Sequence, residues 1–192
     1  MLLNLTLVNA MEKRRRVLFY ELVGIVFIVA FGSLLHFTFE WSGGQAAVGV
    51  FSAVNESVWE HLKLGYWPAL AFALIEFKYL KESTSNFLFA KTVGIYLIPI
   101  TIVVIFYSYT AFLGESILVI DISSFIIAVI FGQLVSYRLL TGKTLPNNLS
   151  KFSLIALLLL GLAFVLFTFY PPQLGLFQDP ITREYGLPVT HS

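Results

Sequence analysis

Five apolar runs of about 20 residues each, at 17–39, 57–80, 87–113, 117–140 and 152–170, are separated by short polar joints. A hydrocarbon core about 30 Å thick takes about 20 residues of helix to cross, and lipid offers the backbone no hydrogen-bonding partner, so such runs fold as membrane-spanning helices. The joints at 81–86, 114–116 and 141–151 are short enough to make consecutive helices antiparallel neighbours. Composition agrees. Of the 192 residues, 58% are hydrophobic and 12% charged, with a mean hydropathy of +0.85, against roughly 45–50% apolar and 25% charged in a soluble domain. Disordered chains and nucleic-acid binders are excluded by that balance, and the net charge of +1 excludes a strongly acidic or basic partner surface. Cysteine is absent, which removes disulfides, thiolate metal sites and cysteine nucleophiles. The chain therefore reads as an all-α, polytopic integral membrane protein of a single domain, 1–192, a five-helix transmembrane bundle in the cell membrane.

Every Lys and Arg except Lys63 and Arg183 falls on the N-terminal side of these spans. Positive loops stay on the cytoplasmic face, which predicts the N-terminus inside and the C-terminus outside. Residues 1–16 are too short to span before the charges at 13–16, and read as a cytoplasmic interfacial arm. The tail 171–192, rich in Pro and Gly, reads as an extracytoplasmic cap or lid. The segment 40–54 is partly apolar but too short to cross, so it enters the outer leaflet only where protein or water satisfies its backbone. Trp41, Trp59, Trp67 and Tyr170 form an expected outer aromatic belt. Glu21 and Glu76, near the inner span ends, are expected to pair at the headgroups with Arg14 to Arg16 and Lys78.

The three histidines, His36, His61 and His191, and most of the carboxylates gather on the outer side. The densest stretch is 55–63, Asn-Glu-Ser-Val-Trp-Glu-His-Leu-Lys, at the outer start of the second span. On one helix, Glu56, Glu60 and Lys63 share a face, and Ser57 and His61 share the adjoining one. Imidazole nitrogen with carboxylate oxygen suits a divalent transition metal such as zinc. The expected ligands are His36, His61 and Glu60. Glu56, Glu60 and Ser57 are the catalytic candidates, as bases, ligands or nucleophile, and Asn55, Lys63, Asp121 and Asp179 bind or orient around them. The same stretch also has a purely structural account: Ser57-Val-Trp-Glu60 is a capping box, and Glu56, Glu60 and Lys63 make an interfacial ion pair.

The stretch 48–70, VGVFSAVNESVWEHLKLGYWPAL, with its Asn-Glu-Ser-Val-Trp-Glu-His core at 55–61, resembles a family of small bacterial and archaeal integral membrane proteins of unknown function. The tail FQDPITREYGLP, 177–188, is similar to the same family's C-terminal stretch, so the resemblance covers the whole chain. Where that family often has proline, this chain has Ala53. The resemblance implies a fold and a compartment. A fainter similarity, through Ser57-x-x-x-His61, is to the ceramidase and adiponectin-receptor group of membrane zinc hydrolases, which have seven spans and a later His-x-x-x-His pair that this chain lacks.

Three functions are compatible with this pattern. The first is a metal-dependent membrane hydrolase or lipid-modifying enzyme, its polar pocket opening outward and its apolar walls facing membrane lipids. The second is a proton- or cation-coupled small transporter, with Glu56, Glu60 and Asp121 titrating in an aqueous path. The third is a non-catalytic partner subunit, monomeric or homo-oligomeric, that docks through small-residue faces such as Gly24 to Gly32.

Overall fold

The computed structural model describes residues 2–146 and 148–188. These form α1 (Leu2–Trp41), a short α2 (Ala46–Gly49), α3 (Val58–Leu80), α4 (Phe87–Leu113), α5 (Leu118–Leu140), α6 (Asn148–Phe169) and a 3₁₀ turn at Gly175–Phe177. Four stretches are long and apolar enough to cross a membrane: Ala10–Trp41, Phe87–Leu113, Leu118–Leu140 and Leu149–Phe169. The protein is a helical, multi-pass membrane protein. The fifth long helix, α3, carries Glu60, His61, Lys63, Glu76 and Lys78, and it is the one packed against α1, α4 and α6 together.

Paired contacts run in opposite order along α1 and α3. Tyr20 stacks on Tyr79, Gly24 meets Phe72, Gly32 meets Leu64, and His36 meets His61. The same inversion relates α4 to α5, and α6 runs beside α4 in the same sense, Thr92 bonding Ser153 O and Tyr96 bonding Ala156 O. One end of the bundle, closed by Val17, Leu80, Phe87, Ala90 and Leu140, lies next to the exposed Arg14 to Arg16. The opposite end carries the histidines. Between them, Ile28, Leu62, Tyr66, Ile98, Val129 and Phe164 fill the core.

Small residues let the helices close. Pro68 has no N–H for Leu64 O, and that carbonyl lies against Gly32, where a Cβ would sit 2.5 Å from it. Gly94 and Gly132 bring α4 and α5 together backbone to backbone, a Cβ on Gly132 falling 2.5 Å from Gly94 O. Gly132→Ala should therefore lower the thermal midpoint in detergent by the equivalent of about 1–3 kcal/mol of overpacking. Gly175→Ala, where a Cβ meets nothing within 4 Å, should leave the midpoint where it is.

Helix α1 continues unbroken from Leu2 through the charges at 13–16, and its apolar stretch begins at Ala10. Other expectations are corrected here. Trp59 packs on Phe164, Phe167 and Phe177, and Trp67 on Phe51 and Tyr66, so both are half-buried, whereas Trp41 and Tyr170 are exposed. The glycine face from Gly24 to Gly32 is turned into the bundle, against Gln133, Phe72 and Phe125, and so offers no free docking stripe. Glu21 and Glu76 are both 1% exposed and pair with Lys91 of α4 rather than with surface cations. His191 lies outside the described residues.

The segment 40–54 folds back onto the histidine end, and protein satisfies its backbone. Ser52 Oγ accepts from Phe39 N at 3.0 Å and donates to Leu35 O, Gly49 O accepts from Lys63 Nζ, and Val54 N donates to Glu60. The tail packs over the same end. Phe177 seats on Trp59, and Asn55 Nδ2 donates to Gly186 O at 2.8 Å.

Candidate metal centre

Helix α3 begins where Ser57, in extended conformation, turns its hydroxyl to accept from Glu60 N at 3.4 Å. Only half of the expected capping box forms. The Glu60 carboxylate does not reach back to Ser57 N, which donates instead to Asn55 Oδ1 at 2.9 Å; it takes Val54 N at 3.1 Å. Ser57 is 1% exposed and its hydroxyl serves as the cap, while the imidazole of His61 meets the Ser57 carbonyl rather than the hydroxyl. A Ser57 nucleophile activated by His61 is thus not the arrangement the chain builds.

His61 Nδ1 lies 2.8 Å from Ser57 O. A carbonyl only accepts, so Nδ1 carries a proton, and the ring turns Nε2 outward. From α1, His36 Nε2 comes to 3.1 Å of that same nitrogen. Glu56 Oε2 stands 3.5 Å from His61 Nε2 and 3.9 Å from His36 Nε2. The three ligand atoms all lie within 4.8 Å of one another, and the residues are partly exposed, the imidazoles 32% and the carboxylate 46%. Two nitrogens about 2.0–2.1 Å from a tetrahedral zinc would be about 3.3 Å apart. The 3.1 Å between the His36 and His61 nitrogens is close to that separation.

Glu60 is not among the side chains that converge with the two histidines. Its carboxylate, 1% exposed, is held by Lys63 Nζ at 2.6 Å, Thr168 Oγ1 at 2.9 Å and Val54 N. Lys63, fully buried, adds bonds to Gly49 O and Thr168 Oγ1, both at 2.7 Å. This ion pair ties the fold-back segment and α6 to α3, and it brings neither a base nor a cation to the histidines. Thr168 and the Gly49 carbonyl had no signal in the sequence.

Glu56 precedes the helix and is aimed by the tail. Its backbone N–H donates to Asp179 Oδ2 at 3.1 Å, while Asp179 Oδ1 takes Ile181 N at 2.7 Å and Thr182 N at 3.0 Å. Burial pushes the Asp179 carboxyl up. The three backbone donors and the nearby His61 outweigh it and hold the group below the usual aspartate range. Asp179→Ala should release this turn. The amides of Glu56, Ile181 and Thr182 should exchange with solvent markedly faster, and unchanged protection would show that Phe177 and the Asn55–Gly186 bond hold the tail without Asp179. Asp121 lies apart from the cluster and accepts from the Tyr109 hydroxyl of α4.

An open cleft of about 620 Å³ adjoins the cluster, lined by His36, Phe37, Phe39, Glu40, Gly43, Gly44, Ala53, Val54, Asn55, Glu56 and Pro188. One wall is helix α1, another the fold-back segment, and Pro188 of the tail closes part of its rim. Residues 9–187 match the family of unknown function DUF6512, and the chain belongs to that family. No curated protein and no solved structure matches the chain.

Proposed function

We propose that this protein is a metal-dependent membrane hydrolase or lipid-modifying enzyme of a bacterial or archaeal cell membrane. Its five helices span with the N-terminus inside and the C-terminus outside. The fifth span is α3, whose deepest charges are paired within the protein and so need no water. Ten of the twelve cations then lie inward, and the histidine end faces outward.

The observation that carries the reading is the meeting of His36, His61 and Glu56, from separate segments, with the His61 tautomer set by Ser57 O. Two imidazoles and one carboxylate leave a coordination position open, as catalytic zinc sites do. A divalent ion held there would bring the pKa of a bound water close to neutrality. The protein's own contributions are separate from that. Ser57 O orients His61, and Asp179 fixes the backbone of Glu56. Glu40, one turn beyond His36 on the same helix face, lines the cleft as a further carboxylate able to accept a proton. Phe37, Phe39 and Pro188 give apolar walls suited to an acyl or isoprenoid chain entering from the outer leaflet.

The test is turnover. Zinc-loaded protein in lipid vesicles should cleave at least one member of a panel of acyl-ester, acyl-amide and isoprenyl-phosphate lipids. Chelation should abolish the activity and added zinc restore it. Zinc-loaded protein inert across the panel would remove the hydrolase reading, whatever its metal content.

A further inference from the structure

At the opposite end of the bundle, three helices bring together a second set of charges that the outer cleft does not use. Lys91 Nζ of α4 lies 2.7 Å from Glu21 Oε1 of α1 and 2.5 Å from Glu76 Oε2 of α3. All three are at most 2% exposed. Ser136 Oγ of α5 adds a bond to Glu21 Oε1 at 2.8 Å, and Gln133 Nε2 approaches Glu21 O at 3.5 Å. No charged group of α5 or α6 is bonded into the set among the described residues, and of the other cations near this end Arg14 to Arg16, Lys78, Lys81, Arg138, Lys143 and Lys151 are exposed and Lys13 is half-buried. With both carboxylates ionised, the cluster would hold an uncompensated negative charge in an apolar interior, which is strongly unfavourable.

Each carboxylate also keeps one oxygen with no partner. Glu21 Oε2 and Glu76 Oε1 are buried and unbonded, while their sister oxygens converge on the same ammonium. A proton on either carboxyl brings the net charge of the set to zero, and an unbonded oxygen is the free place for it. Glu21 Oε1 already accepts from two groups, Lys91 and Ser136, whereas the Glu76 carboxylate accepts from Lys91 alone. Glu76 is therefore the better holder of the proton.

We propose that Glu21, Glu76 and Lys91 form an intramembrane proton-binding site that holds one proton on its carboxylate pair at neutral pH, with Glu76 as its main carrier. The site is independent of the metal cluster and stands or falls without it. It gives the inner half of the bundle a single titrating group, a component that a proton-coupled membrane protein needs.

The experiment is infrared spectroscopy of the full-length protein in detergent at neutral pH, in light and heavy water. Wild type should show the carbonyl stretch of one protonated carboxylic acid, shifted in heavy water. Glu76→Gln should abolish that band, because the remaining Glu21–Lys91 pair is neutral without a proton, and Glu21→Gln should do the same. Lys91→Met should raise the band to about twice its area by leaving both carboxyls protonated. Should one Gln variant fail to fold, the other gives the same reading. No band in wild type, or a band of equal area in a folded Gln variant, would overturn the proposal.

Discussion

Lys63→Met should destabilise the folded chain by about 3–5 kcal/mol, the cost of leaving a buried carboxylate without its counter-ion. Lys63 is fully buried and Glu60 is 1% exposed, so water cannot replace the missing ammonium. Loss of the side chain also strips donors from Gly49 O and Thr168 Oγ1, which join the fold-back segment and α6 to the same helix. The double variant Glu60→Leu with Lys63→Met should recover most of the loss, because removing both charges removes the uncompensated one. Thermal or denaturant unfolding in detergent reads both variants. A single variant as stable as wild type would mean that Glu60 and Lys63 are solvated in solution, and α3 would then not be buried as described.

The second large effect concerns Glu56, whose carboxylate faces the two histidines, and Asp179, which holds the backbone of Glu56. Glu56→Ala should weaken divalent-metal binding by more than the roughly 10–100-fold that follows loss of a group which merely orients a ligand. Asp179→Ala, which acts only on the backbone of Glu56, should fall within that lesser range. Equal metal affinity in wild type and Glu56→Ala would return the third-ligand role to some other group.

Apolar run length was enough to find α1, α4, α5 and α6, because a bilayer-sized segment with little charge has few other fates, whereas α3 carries Glu60, Lys63, Glu76 and Lys78. Ser57 as a helix cap was readable from its spacing to Glu60, and the meeting of His36 with His61 from their matching distances to the outer helix ends. The choice between Glu56 and Glu60 was not readable. A helical wheel places both on one face only if the helix includes Glu56, yet α3 starts at Val58 and Glu56 is swung onto the histidines by Asp179, 123 residues away in the chain. Glu60 was diverted by Lys63 and Thr168, and the partnership with Thr168 exists only once α6 has packed. The Glu21–Lys91–Glu76 set was hidden for a similar reason. Each residue counted alone falls near a helix end, where headgroup pairing is the default, and only the convergence of three helices shows that these charges face inward.

Metal content is the most direct measure of the outer cluster. Elemental analysis of detergent-purified wild type, dialysed after exposure to zinc, should return about one equivalent per chain. His36→Ala, His61→Ala and Glu56→Ala, each folded by its unfolding curve, should return essentially none. Wild type that retains no zinc, cobalt, manganese or iron beyond the level of these variants would contradict the account.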